Sequence, residues 1–345
     1  MKIYLSTDNL QLKNMSPFTK TRHISDIRIG ILTIREKWTL LLPGDAEIFT
    51  DKEQHEDLIS IDGAIIPTLS NFKQIILAAL EQSSIPEEVK VLQYPWQIFQ
   101  WNDECLRADF DLITAGRKSI EIEASNTYKN ANHIFIEPGA EVSMCMINAE
   151  EGPVYIGKNA LIMEGCMLRG PIAIGENAVV KMGTKIYGGT TIGPYCTVGG
   201  EIKNSVLFSH SNKAHDGYLG DSVIGSWCNL GAGTSNSNVK NTAGIVKFYD
   251  ENNQSHEVGK KAGLIMGDYS RCAINTSFNT GTMVGVCCNI FGSIMPDKYI
   301  PDFTWGNERY DIDKVLIDVS NWKQMKKQNI TETEKSLLIQ LYKNQ

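Results

Sequence analysis

Val154–Glu201, written in sixes as VYIGKN ALIMEG CMLRGP IAIGEN AVVKMG TKIYGG TTIGPY CTVGGE, repeats itself eight times without a gap. The third place of each six is Ile156, Ile162, Leu168, Ile174, Val180, Ile186, Ile192 and Val198, a branched aliphatic every time. The first place is small or aliphatic: Val154, Ala160, Cys166, Ile172, Ala178, Thr184, Thr190 and Cys196. Neither a helical period of 3.6 nor the strict alternation of a strand generates this pattern. A period of six means a short strand and a turn, repeated. Three such units close a triangular coil of about eighteen residues whose aliphatics stack inward as ladders. Glycine and asparagine then fall at the corners, where positive φ is needed. The spacing returns at Met266, Cys272, Phe278, Val284 and Ile290, and Ile136 and Val142 fit it upstream. It predicts a parallel β-helix over about 132–295, broken at 203–218 and 233–262. Breaks of this kind are where a solenoid carries function.

Composition narrows the field of partners. A net charge of −7 argues against nucleic acid or an anionic membrane as the main partner, because phosphate recognition needs a basic footprint. No run of eighteen apolar residues is present, and the opening MKIYLSTDNLQLKN has no apolar signal core, so a cytoplasmic location is expected. The eight cysteines form no CxxC pair and read as small core residues, with no metal site expected.

Residues 1–115 have a different texture. KIYLSTD alternates like a strand, and DLISIDGAIIPT (57–68) holds a buried-strand run. NFKQIILAALEQ (71–82) reads as a helix capped by Ser70 or Asn71, and the stretch 95–113 as another helix opened by Pro95. Strands alternating with helices suggest a small α/β domain over 1–115. The solenoid domain is placed at 116–300 and a C-terminal extension at 301–345. In that extension TETEK predicts a helix capped by Thr331 with Glu334 in the reciprocal position. Arg22, Asp26, Arg28, Arg35 and Lys37 are the phosphate-facing candidates of the N-terminal part; surface or interface roles serve them equally well.

The stretch KAHDGYLGDSVIGSWCNLGAGT (213–234) places an imidazole beside a glycine-rich turn. It resembles the hexapeptide-repeat acyltransferases, and most closely the acetyltransferase half of the bacterial bifunctional UDP-N-acetylglucosamine pyrophosphorylase/glucosamine-1-phosphate N-acetyltransferase. The matching features are His215 three residues before Tyr218-Leu-Gly-Asp221, then Asn229-Leu-Gly-Ala-Gly-Thr234. RIGILTIREKW and IPDFTWG resemble a GlmU-like subgroup with a divergent N-terminal half. The resemblance implies a left-handed β-helix, a homotrimer with active sites between subunits, and acetyl-CoA as donor to the amine of an amino-sugar phosphate. Residue by residue it implies His215 as general base and Glu201 as the carboxylate orienting it. The Ala232 N–H would meet the oxyanion. Lys203, Tyr218 and Asn229 would contact the sugar phosphate, with Lys185 standing where the family has an arginine, and Asn238 would lie near the nucleophile or the acyl donor. The chain departs from the family at Asn238-Val239-Lys240, where a tyrosine is usual, and it lacks the Gly-rich nucleotide loop.

The residue types suit the chemistry. An imidazole, ordinarily titrating near pH ~6.5, can take a proton from an attacking amine, and a backbone N–H in a glycine turn can stabilise an oxyanion. His210 is the rival base; His23, His55, His133 and His256 lack such surroundings. Two other readings stay open. One is a sugar-1-phosphate nucleotidyltransferase (a UDP-sugar or dTDP-sugar pyrophosphorylase) needing Mg²⁺, with the solenoid as oligomerisation platform. The other is a non-catalytic scaffold.

Overall fold

The computed structural model describes residues 1–51 and 57–344; His55 lies outside them. The expected order holds: an N-terminal α/β unit, a parallel β-solenoid, then helices.

The solenoid has three faces. The first runs from Thr127–Lys129 to Tyr218–Gly220 in six strands, and the second from Ile134–Ile136 to Tyr299–Ile300 in nine. The third runs from Glu141–Val142 to Thr304–Trp305 and closes with the antiparallel strand Glu308–Arg309. All eight third-place aliphatics are at most 2% exposed, so the hexad ladder is the core. Burial of such side chains contributes roughly 1.5–3 kcal/mol each. All eight cysteines are buried and free.

One expected break is no break. Strands Val206–Leu207 and Asn212–Lys213 lie within 203–218 and pair with both neighbouring coils. The coils just upstream advance by eighteen residues, as Leu161 pairs with Val179 and Val179 with Thr197. The next coil advances by fifteen, as Thr197 pairs with Asn212. The hexad phase slips while stacking continues, which a fixed-period reading cannot see. The second break is real but starts later than expected: Ser235–Asn236 still pairs in parallel with Ser277–Phe278, and after it strands Val246–Tyr249 and Ser255–Gly259 form an antiparallel hairpin.

The N-terminal unit contains β1 (Lys2–Ser6), α1 (Asn9–Asn14), α2 (Ile34–Leu41), β2 (Glu47–Phe49), β3 (Ile59–Asp62), α3 (Phe72–Glu81) and α4 (Gln97–Thr114). Its sheet is parallel in the order β2-β1-β3. Asn71 stands at the α3 N-cap without a capping bond from its side chain, which instead accepts from the Thr68 N–H. The basic half of ILTIREKW is α2, closed by a Thr33/Glu36 capping box. The unit's core is continuous with the outer side of the second face, through Val206, Phe208, Val223 and Ile265. That face is therefore apolar on both sides, as in Ile172–Ile174.

The five phosphate-facing candidates are consumed internally. Arg22 pairs with Asp268 of the solenoid and lies over the Phe208 ring. Arg35 pairs with Asp26, and Arg28 bonds the Ile31 carbonyl and Glu36. Lys37 is buried against Asp109, which also accepts from the Ile31 and Leu32 N–H groups. The partners of Arg22 and Lys37 lie seventy or more residues away, so in sequence these two read as a ligand surface; folded, they are scaffold.

The C-terminal helices are α5 (Ile312–Met325), unforeseen in the sequence, and α6 (Glu332–Lys343), which has the expected Thr331/Glu334 capping box. They cover a corner carrying Trp227, Tyr269 and Phe303. No helix among the described residues is long and apolar enough to cross a membrane.

Candidate functional site

The site lies on the edge between the third and first faces. Most coils cross this edge in four residues: 181–184, 214–217 and 231–234 between the flanking strands. One coil crosses it in two, Gly199 and Gly200. The His215 turn sits directly above this short corner. Gly200 has φ +77°, and a Cβ there would stand 2.7 Å from the Gly217 carbonyl oxygen and 2.9 Å from that of His215. Only glycine permits this approach without strain.

Glu201, His215 and Ala232 therefore lie on one edge in three successive coils. Glu201 pairs in register with Tyr218, and the Gly233 N–H donates to the Asp216 carbonyl at 3.0 Å. The N–H groups of Gly231 and Gly233 are both used, by the carbonyls of Cys272 and Asp216, while that of Ala232 has no acceptor among the described residues. The His215 side chain is exposed. No hydrogen bond joins it to Glu201. The Glu201 carboxylate instead accepts from the Tyr187 hydroxyl at 2.7 Å. Burial, then this bond, push the Tyr187 phenol up to about 12.

The other candidates divide between two faces. Lys185, Glu201 and Tyr218 form one cross-strand row on the first face; Tyr187, Lys203 and Gly220 form the next. The Lys203 ammonium lies 5.7 Å from the centre of the Tyr187 ring, within cation–π range. Asn238 donates to the Tyr218 hydroxyl oxygen at 3.1 Å and to Asp221 at 2.5 Å, and Asn204 donates to the other Asp221 oxygen at 2.7 Å. Burial, and the Asp221 charge after it, raise the Tyr218 phenol. Asn229 stands apart from this row. It is on the third face, accepting from Asn212 at 3.4 Å and paired in register with Arg271. Tyr187, Asp221 and Asn204 were missed by sequence reading, because only coil-to-coil register shows that they adjoin the row.

His210 is structural. Its ring stacks between Tyr195 and Trp227, with centroids 4.8 and 4.3 Å away, and Nε2 meets the Gln328 amide at 2.9 Å. Burial, then Lys326 and Lys323, hold its pKa down at about 4.

At the N-terminal unit, Asp8 follows the C-terminal end of β1 and Asp62 closes β3, and these two strands are paired in parallel. Asp8 caps α1, and Gln11 donates to Asp62 at 2.6 Å. His23 bridges Thr7 and Ser25 at 3.0 and 2.8 Å. These strand ends carry two carboxylates, and the four basic candidates are engaged elsewhere, with Asp26 pairing to Arg35.

Comparison with known proteins finds partial likenesses. A family described as sugar nucleotidyl transferase matches residues 3–76 and 51–118. The bifunctional protein GlmU of Methanocaldococcus jannaschii is 33% identical over 112 residues, 32% of this chain and 27% of that protein. GlmU of Synechococcus sp. is 34% identical over 111 residues, 31% of this chain and 15% of that protein. A bifunctional sugar-1-phosphate nucleotidylyltransferase/acetyltransferase of Sulfurisphaera tokodaii is 32% identical over 91 residues, 26% of this chain and 23% of that protein. The chain thus spans about a quarter or less of the curated relatives it matches. Among solved structures, the acetyltransferase domain of PglB from Neisseria gonorrhoeae aligns over 87% of this chain and 96% of that one, at 13% identity and TM-score 0.22. The UDP-N-acetylglucosamine acyltransferase of Francisella novicida aligns over 65% and 79%, at 15% identity and TM-score 0.20. The chain is a parallel β-solenoid preceded by a segment that matches the sugar nucleotidyl transferase family, and it is similar to GlmU proteins over about a third of its length.

Proposed function

We propose that the protein is an acetyltransferase of sugar metabolism, moving an acetyl group from acetyl-CoA to the amine of an amino-sugar phosphate. The observation that carries this reading is the convergence of His215, Glu201 and the unengaged Ala232 amide on one edge. The amine attacks the thioester carbonyl and passes its proton to the His215 imidazole. The Ala232 N–H stabilises the oxyanion, a contribution of about 2.7–4 kcal/mol in hydrolytic sites. The C–S bond then breaks, the thiolate leaves, and the imidazolium returns a proton to it. Glu201, held by Tyr187, supplies negative charge near the developing imidazolium. Lys185, Lys203 and Tyr218 line the face beside it for the sugar phosphate, with Asn229 reaching it from the adjoining face and Asn238 setting the Tyr218 hydroxyl on the acyl-donor side.

A homotrimer built on this edge fits the reading. Met146, Met167, Met182 and Ile274 are 60, 47, 70 and 69% exposed on the same edge and its adjoining strands, above and below the site. A long apolar stripe of this kind is covered by a symmetric partner.

The family match over 3–118 favours a second reading, sugar-1-phosphate nucleotidyl transfer at the C-terminal ends of β1 and β3. Asp8 and Asp62 are the carboxylates that would hold Mg²⁺ there, since Mg²⁺ is usually bound by one or two carboxylates plus substrate phosphates.

The test is a panel of amino-sugar phosphates assayed for thiol release from acetyl-CoA, run beside pyrophosphate release from nucleoside triphosphates. Thiol release lost at least 100-fold in His215→Ala supports the first reading. An unchanged rate in that variant refutes the assignment of the base. Pyrophosphate release alone selects the second reading.

A further inference from the structure

Lys213 occupies an inward place in the solenoid. The same row on the third face holds Val142, Ile162, Val180, Val198, Leu230, Cys272 and Ile290, all apolar and buried. Lys213 is 1% exposed, and among the described residues no carboxylate lies within ion-pair distance of it, Asp216 acting only from farther off. A buried ammonium without a counter-ion is costly unless its hydrogen bonds are made.

Its bonds go to one place. Nζ donates to the Gly199 carbonyl at 3.4 Å and to the His215 carbonyl. These carbonyls belong to the short corner before Glu201 and to the turn above it.

Where neither corner is the short one, the backbone makes that link itself. Gly165 N–H donates to Met144 O at 2.9 Å, Gly183 to Glu164 at 3.0 Å, Gly233 to Asp216 at 3.0 Å and Asn275 to Ala232 at 2.7 Å. Each joins a corner to the one below. The 214–217 turn donates no such bond, because the corner below it has only two residues and offers no carbonyl in phase.

We propose that Lys213 is a positioning residue whose ammonium replaces the missing corner-to-corner bond and fixes the His215 turn over the Glu201 corner. Its consequence for acetyl transfer rests on the function proposed above; the staple itself does not. The inward ladder position explains why a lysine, with its long stem, is needed: only a side chain starting inside the coil reaches both carbonyls from behind.

The test is Lys213→Met, which keeps an apolar stem inside the core and removes the ammonium. Two amides report on the turn: Glu201 N–H, which donates to the Gly217 carbonyl, and Gly233 N–H, which donates to the Asp216 carbonyl. Their hydrogen exchange is expected to quicken at least tenfold, with the Gly183 amide unchanged and the thermal midpoint equal or higher. The kcat for acetyl transfer is expected to fall at least tenfold with acceptor KM within threefold. Unchanged exchange at Glu201 and Gly233 overturns the staple. Quickened exchange with unchanged kcat overturns the positioning role. If the unsubstituted protein acetylates nothing, the function proposed above fails and the exchange measurement still decides the staple. Should the Met variant not fold, Lys213→Gln, a neutral donor, carries the same exchange measurement.

Discussion

Lys37→Met separates a ligand-binding lysine from a scaffold lysine. Lys37 is 1% exposed, and its ammonium meets both oxygens of Asp109, itself 3% exposed. Burial pushes the Asp109 carboxyl up and Lys37 draws it back down. Removing the cation leaves a buried carboxylate held by two N–H groups, from Ile31 at 2.8 Å and Leu32 at 3.1 Å. Breaking one side of a buried pair costs about 3–5 kcal/mol. The two remaining bonds argue for the lower half of that range. In Lys37→Met/Asp109→Asn both charges go while the amide oxygen still accepts from the two N–H groups. The second substitution is therefore expected to recover about 2–3 kcal/mol, a coupling at the upper end for contacting residues. The assay is urea unfolding at pH 7 followed by tryptophan emission, to which the fully buried Trp38 beside Lys37 contributes. A single-variant loss under about 1 kcal/mol, or nucleoside triphosphate binding abolished with the fold intact, would refute the scaffold argument and return Lys37 to a phosphate site.

Gly200→Ala should cost about 1–3 kcal/mol for the left-handed backbone and also displace the His215 turn; a thermal midpoint and acetylation rate both unchanged would contradict the short-corner geometry. His23 and His210 are each lowered to about 4, chiefly by burial. Their folded forms resist protonation, so the stability they contribute is present above pH ~6.5 and lost as the pH falls from there toward 4. Proton uptake on unfolding at pH 5, reduced in His210→Gln, is the calorimetric check. Lys213 is lowered to about 8 by burial, with Asp216 and Cys272 opposing. The folded state loses its proton first, so this group's contribution to stability rises with pH from about 8 to 10.5. The limit is about 3 kcal/mol at ~1.4 kcal/mol per unit, and Lys213→Met should flatten that rise.

The fold was legible wherever one residue type recurs for one physical reason. The ladder Ile156 to Val198 is apolar because each member points into the same narrow core, and the Thr331 cap is local chemistry within four residues. What stayed hidden depends on register. Asp221, Asn204 and Tyr187 enter the site only because coils of sixteen or seventeen residues bring them beside Glu201 and Tyr218. The partners of Arg22 and Lys37 lie 246 and 72 residues away. Sequence spacing cannot foretell such pairs.

The phase slip and the candidate chemistry have one origin. A solenoid of identical coils presents identical corners, and stacked identical corners leave no step in which a substrate can sit. Shortening the corner to Gly199–Gly200 breaks that identity once and brings Glu201 two residues closer to Val198 than Lys185 is to Val180. The four-residue turn above it then donates no backbone bond to the corner below. That gap is the condition that demands an ammonium from inside. Restoring two residues between Gly199 and Gly200 should therefore return the coil to the upstream crossing length. It should make the Lys213 bond redundant and remove activity while leaving the solenoid folded. Retained acetylation in that insertion variant, with far-ultraviolet dichroism unchanged, would show that the step is incidental to the chemistry.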